Sequence, residues 1–190
     1  DIAYQVKRYL ASRSIPLMIQ GVPGLYLHGA AGTPNDHELV GTTNVRRDVN
    51  RGVIDPETIA EGLKDSNSKV SLMIKYGSKM SLGRTRQRAF HPQGGQRVLM
   101  KSPDIFTVIR TSPEGDQHIV AMTNVTSKAS RIEITLSELG MEETRWYDLL
   151  GEKEWTAKNA RLSVTFQPYD VIWLKPQSEV QKNRNTGVVE

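Results

Sequence analysis

The sequence predicts a chain in two parts: a piece of an α/β fold, followed by an all-β part built as an antiparallel β-sandwich domain. Three observations predict it. Val22 to Leu27 is a short, nearly continuous apolar run with an aromatic in it, bounded by glycines. A helix-like stretch precedes that run, and a long polar loop leading to further helices follows it. From Phe90 the texture changes to short β-like runs separated by turns.

An uninterrupted apolar run suits a strand buried on both faces, as in a parallel sheet, because a strand with one wet face would alternate. Helix, buried parallel strand, functional loop, helix is the repeating unit of an α/β barrel or a doubly wound sheet. One parallel strand makes no sheet, and no other segment reads as its neighbour. The chain therefore reads as part of something larger. Its start at Asp1, with neither a methionine nor a charged-then-apolar leader, fits a fragment of a longer protein.

Residues 1–20 place Ile2, Val6, Tyr9, Leu10 and Leu17 close to one helical stripe, with Asp1 set to cap the first turn. Pro16 removes a backbone donor, so a kink or an early stop is expected there. After the apolar run, residues 29–54 are rich in glycine and asparagine and gather Asp36, Glu38, Arg46, Arg47, Asp48 and Arg51. A loop of such length is more often functional than idle. Asp55, Pro56 and Glu57 give a helix start, with a cap, a proline at the first helical position and an acid in the first turn. Residues 65–68 interrupt that helix and can cap the next, whose apolar face carries Val70, Met73, Ile74, Gly77 and Met80. Its other face carries Lys69, Lys75, Lys79, Arg84, Arg86 and Arg88, readable as an anion-binding stripe or as a solvated face. No aromatics interleave to stack bases, which favours the solvated face.

His91 to Gly95 is a break. Strands are expected at residues 97–101, 104–111, 117–124, 131–136, 145–150, 161–166 and 170–175, with a hairpin turn over residues 112–116. Ile132, Ile134 and Leu136, like Leu162, Val164 and Phe166, alternate with polar residues, as half-buried sandwich strands do. Trp146 and Trp173 sit inside apolar strands and are expected in the core; Trp155 lies in a polar stretch and is the one candidate for a sugar-stacking platform. From Gln177 the chain is polar and aperiodic, so residues 177–190 are expected to be a disordered tail.

Composition excludes several classes. Hydrophobic residues make up 37% and charged residues 24% of 190 residues, which is globular but on the polar side. With no cysteine, disulfides and thiolate metal sites are excluded, and a reducing, cytoplasmic location is expected. No run approaches the roughly 18 apolar residues that a bilayer span needs. A net charge of +4 permits a polyanion partner without requiring one. His91 and His118 lie in separate segments, so no metal cluster is expected. Asn124, Val125 and Thr126 fit a glycosylation acceptor, read here as accidental in a chain without a leader.

The run Gly21-Val-Pro-Gly-Leu-Tyr-Leu-His resembles the eighth barrel strand of the α-amylase clan. Asn35 to Leu39, Thr43 to Arg51, and Ala89 to Pro92 are similar to the sucrose phosphorylase branch of that clan. Trp146 to Gly151 and Pro168 to Leu174 resemble its C-terminal β-domain, so the resemblance covers about residues 5–175. It implies that residues 1–92 are the last portion of a (β/α)8 catalytic barrel (seventh helix, eighth strand, active-site loop, eighth helices) and residues 93–176 the C-terminal β-domain.

The resemblance further implies a retaining glucosyl-transferring enzyme of carbohydrate metabolism. Such an enzyme works through two carboxylates, one a nucleophile and one an acid/base, with phosphate releasing glucose 1-phosphate. Those carboxylates and a third, sugar-clamping aspartate come from strands four, five and seven, before this chain begins. No catalytic residue is therefore assigned here, and the chain alone is expected to be inactive. The resemblance places Arg47 at the family arginine that reaches the sugar and phosphate, a task suited to a planar, permanently charged donor. His28 and Asp36 are the other expected substrate-binding residues. The competing reading is that Arg46, Arg47 and Arg51 pair with Asp36, Glu38 and Asp48 to fold the loop, and that His28 is a hydrogen-bonded barrel histidine.

The expected partners are a sugar and inorganic phosphate for the full-length protein, and the missing barrel portion or another copy for the chain itself. No cofactor, metal, nucleic acid or membrane is expected. The alternative is a non-catalytic carbohydrate-binding or structural β-module, which would need several exposed aromatics on one face.

Overall fold

The computed structural model describes residues 1–180. Its helices are α1 (Ile2–Met18), α2 (Leu27–Ala31), α3 (His37–Thr43), α4 (Pro56–Lys64), α5 (Lys69–Thr85) and the single turn α6 (Leu136–Leu139). Its strands are β1 (Gly95–Leu99), β2 (Ile105–Thr111), β3 (His118–Asn124), β4 (Ser130–Thr135), β5 (Arg145–Asp148), β6 (Glu154–Thr156), β7 (Arg161–Phe166) and β8 (Val171–Pro176). The chain divides into two compact units: residues 1–6 with 24–78, and residues 7–23 with 79 onward.

The second unit is the β-sandwich. Six strands pair in the order β1-β2-β3-β8-β5-β6, and β4 pairs with β7 in a separate two-stranded sheet, every pairing antiparallel. Ile105, Ile109, Val120, Met122, Ile132, Ile134, Trp146, Leu162, Val164, Phe166 and Leu174 make the core. In β4 and β7 the inward positions are buried and the outward ones wet, as their alternation predicts. The hairpin turn forms where expected, with the Ser112 hydroxyl accepting from the amides of Asp116 (3.1 Å) and Gln117 (3.0 Å) and Gly115 at φ 74.

β2, β3 and β8 differ, because they are buried on nearly every residue. The side of the sheet away from that core is covered by α1 and by Phe90. Ser14 hydrogen bonds Thr123 at 2.7 Å, Lys7 pairs with Asp170 at 2.6 Å, and the Phe90 ring lies 4.8 Å from that of Trp173. Helix α1 runs through Pro16 to Met18 without stopping. Two guanidiniums take its last carbonyls: Arg84 donates to Leu17 O, and Arg110 to Met18 O at 3.3 Å. Arg110 also donates to the carbonyls of Gly95 (3.0 Å) and His91 (2.9 Å). Burial, reinforced by the neighbouring Arg84 charge, lowers its pKa to about 10.

This burial removes Arg84 from the basic stripe expected on α5. Lys79 pairs with Glu152 at 2.6 Å, and Arg88 with Asp116 at 2.6 Å and Glu114 at 3.5 Å. Of the expected stripe, Arg84 is thus buried and Lys79 and Arg88 are paired, while Lys69 and Lys75 take no carboxylate among the described residues. Trp155 is corrected as well: it pairs across β5–β6 with Trp146 and packs against the core, so it offers no platform. Asn124 is fully buried, its amide donating to the carbonyls of Lys128 (2.7 Å) and Gln167 (3.0 Å), which closes the acceptor motif to any glycan. Residues 177–180, placed in the expected tail, are helical; Glu179 accepts from the His118 amide at 2.8 Å and meets the His118 ring at 2.9 Å. The remainder of that tail lies outside the described residues.

The first unit holds the loop region from residue 24 on, and residues 22 and 23, which lead into it, belong to the second unit. The segment expected as a buried strand, Val22 to Leu27, pairs with no strand among the described residues. Val22 is 83% exposed, Leu25 62%, Tyr26 57% and Leu27 66%. The physical reason is the one the sequence anticipates: a parallel strand exists only beside hydrogen-bonded neighbours, and the described residues supply none. Leu27 instead opens the short helix α2, closed by Gly32 in the left-handed region at φ 66. Further on, α4 starts as expected, with the Asp55 carboxylate accepting from the amides of Glu57 (3.1 Å) and Thr58 (3.0 Å).

Candidate functional site

The charged loop lies within residues 24–78, so its geometry belongs to one unit. It is tied together by main-chain carbonyls at the end of a 3-10 turn, Arg46–Asn50. The Asp36 amide donates to Val49 O at 2.8 Å, and the Tyr26 hydroxyl donates to Asn50 O at 2.6 Å. Arg51 pairs with Asp48 at 3.4 Å and closes the turn from its far side.

Each expected site residue has a definite place. Arg47 is exposed, and no hydrogen bond or ion pair engages its side chain among the described residues; the same holds for Arg46. The loop-folding reading, in which these arginines pair with the nearby acids, is met by Arg51 and Asp48 alone. A guanidinium held on an anchored turn without a carboxylate can take an anion with two parallel N–H donors.

His28 stands in α2, half-buried, its Nδ1 2.9 Å from the Thr33 hydroxyl and its ring 5.1 Å from that of Tyr26. That contact fixes the ring through one nitrogen and leaves Nε2 as the group it can present. Asp36 braces the loop. Its Oδ1 accepts from the Leu39 amide at 2.8 Å as the N-cap of α3, and its side chain fills the space beside Gly52, where an added Cβ would lie 3.1 Å from Oδ2.

Sequence reasoning missed Tyr26 as a site residue, because it stood inside the apolar run and read as a core strand position. A phenol beside a histidine at a strand's end was the available signal, since a tyrosine hydroxyl seeks a partner when its ring is packed. Among the described residues no group of three His, Cys, Asp or Glu side chains is placed to hold a metal ion. No described helix is long and apolar enough to cross a membrane.

No family model matches the sequence. The chain is 29% identical over 184 residues to a glucosylglycerate phosphorylase of Spirochaeta thermophila, covering 93% of this chain and 31% of that protein. It is 40% identical over 58 residues to the sucrose phosphorylase of Bifidobacterium adolescentis, covering 30% of this chain and 12% of that protein. The chain thus spans at most about a third of the length of these curated relatives, and the match falls on their C-terminal part. Among solved structures, it resembles AmyP in complex with maltotriose, with a TM-score of 0.74 at 18% identity, over 90% of this chain and 35% of that one. It also resembles an α-amylase of Geobacillus thermoleovorans complexed with acarbose, with a TM-score of 0.68 at 13% identity, over 92% of this chain and 33% of that one. The fold is that of the C-terminal part of α-amylase-family enzymes.

Proposed function

We propose that this chain is the C-terminal portion of a retaining, glucosyl-transferring phosphorylase that converts a glucoside and phosphate to glucose 1-phosphate. Its substrate class is glucosylglycerate or sucrose, the glucosides that the names of its relatives carry. On this reading residues 1–92 complete a catalytic barrel whose reacting carboxylates lie in the rest of the polypeptide, and Arg47 receives the phosphate that attacks the glucosyl-enzyme. His28 lines the same pocket through Nε2, and Asp36 holds the loop in shape.

One observation carries the role of Arg47. It is exposed on an anchored turn and, like Arg46 beside it, has no side-chain partner among the described residues, while Arg51, four residues on, is already paired; of the two free arginines, Arg47 is the one that matches the arginine of the sucrose phosphorylase branch. Burying a pair of charge-assisted hydrogen bonds to an oxyanion is what such a side chain offers, and it stays charged at any working pH. The apolar side chains of residues 22–27 support the same reading, because four exposed large or branched hydrophobes in six residues call for cover.

The test is direct. The full-length protein is incubated with phosphate and either glucosylglycerate or sucrose, and glucose 1-phosphate is measured. Formation from at least one glucoside is expected, and none from the isolated chain. The reading falls if the full-length protein forms glucose 1-phosphate from neither, or if the isolated chain, free of host enzyme, transfers glucose.

A further inference from the structure

The loop places a phenol where it governs the turn that carries the arginines. Tyr26 is more than half exposed, yet its hydroxyl is committed: it donates to Asn50 O at 2.6 Å, the last residue of the Arg46–Asn50 turn. Its ring is steadied by His28, whose own ring is held by Thr33. One further hydrogen bond joins this stretch to the turn, from the Asp36 amide to Val49 O at 2.8 Å. The turn itself is a 3-10 segment, whose bonds are poorer than those of an α-helix and which keeps its shape through outside contacts. Within it the Asp48 amide bonds Val45 O at 3.0 Å and the Arg51 amide bonds Asp48 O at 2.9 Å. The backbone that aims Arg47 is therefore fixed at its far end by two donors, and only one of them is a side chain.

We propose that Tyr26 is a positioning residue for Arg47: its hydroxyl, bonded to Asn50 O, sets the turn so that the Arg47 guanidinium meets the attacking phosphate. Tyr26 touches no reacting atom in this role and acts entirely through the turn. The inference rests on the reading of Arg47 as the phosphate ligand.

Tyr26→Phe removes the hydroxyl and keeps the ring against His28. In the full-length enzyme the glucosyl-enzyme forms before phosphate attacks, so the constants for the two substrates separate. Loss of one hydrogen bond that orients the turn is expected to raise the KM for phosphate about two- to tenfold. The KM for the glucoside and the melting temperature are expected to stay as they are, whereas a merely structural loss would lower the melting temperature and disturb both constants. The decisive measurement is the double-mutant cycle with Arg47→Ala: if Tyr26 acts through Arg47, Tyr26→Phe changes nothing further in the Arg47→Ala background.

An equal effect of Tyr26→Phe in both backgrounds, or no effect in the wild-type background, overturns this inference and leaves the phosphate role of Arg47 standing. If Arg47→Ala alone leaves the phosphate KM unchanged, the role of Arg47 falls and this inference with it. Should Tyr26→Phe fold poorly, Tyr26→His, which keeps an aromatic ring without the reach to Asn50, is read in the same cycle against the same expectation.

Discussion

The Arg84 guanidinium donates to the carbonyl oxygen of Gly21 at 2.6 Å, joining the last turn of α5 to the residue that ends the α1 segment. With its second bond, to Leu17 O, this one side chain closes the C-terminus of α1 where a glycine cap would ordinarily serve.

Replacing Arg84 by methionine keeps the bulk and removes both donors. Leaving buried carbonyls without partners costs about 1–3 kcal/mol, and the relief of a desolvated charge offsets part of it. A lower urea midpoint is expected, with Arg84→Lys lying between. An unchanged or raised midpoint would show that the carbonyls find other donors.

Glu138 gives a pH dependence. The ammonium of Lys101, at 2.7 Å, and the amide and hydroxyl of Thr135 bring its pKa from 4.5 down to about 2. For an acid whose folded pKa is depressed, the stabilisation is complete above the unfolded pKa and is lost as pH falls through the folded one. The loss therefore runs from near pH 4.5 to near pH 2. Thermal melts of Glu138→Gln are expected to show a shallower acid limb in that window, and curves parallel to the wild type there would refute the assignment.

Amide exchange separates the two kinds of apolar segment. Residues of β2, β3 and β8 lie in a closed ladder and are expected to be the slowest, while Val22 to Leu27, without a ladder, exchange near the rate of an open chain. Strong protection of Val22 to Leu27 in a dilute, monomeric sample would contradict this. Protection that appears only when the rest of the polypeptide is present is the expected outcome.

Arg47→Ala in the full-length protein is expected to lower turnover with phosphate by the equivalent of about 1.5–3 kcal/mol, the value of one charge-assisted contact. Melting is expected to shift little, because no described residue leans on that side chain. A fall in melting temperature with unchanged activity would return Arg47 to loop folding.

The sandwich was legible because its signals are local. Ile132 and Ile134 pair in register with Val164 and Leu162, and the alternation that seals them is printed in each strand separately. Arg84 was not legible for the opposite reason. Helical spacing puts it on a face with lysines, but whether that face meets water depends on α1, more than sixty residues earlier. Trp155 misled in the same way, since its polar neighbours on a three-residue strand point away from the core that it joins. The apolar run at residues 22–27 carried a true composition signal, but a strand is a relation between two segments and the second is elsewhere. In the loop, the clustering of Asp36, Arg47 and Arg51 was readable; which acid caps a helix and which arginine is paired was decided by hydrogen bonds no spacing encodes.

The unit that holds the sheet is interrupted: residues 7–23 belong to it, and residues 24–78 intervene before it resumes. On a ribosome this order matters. Ser14 lies 109 positions ahead of Thr123, its partner across the sheet, so at a synthesis rate of about 5–20 residues per second it waits roughly 5–20 s for that partner to be made. Throughout that interval Leu10, Ala11, Leu17 and Met18 have no sheet to cover them. Helix α1 is thus made well before the sheet it docks on, and within the described residues the apolar face left waiting is that of α1, ahead of the strands.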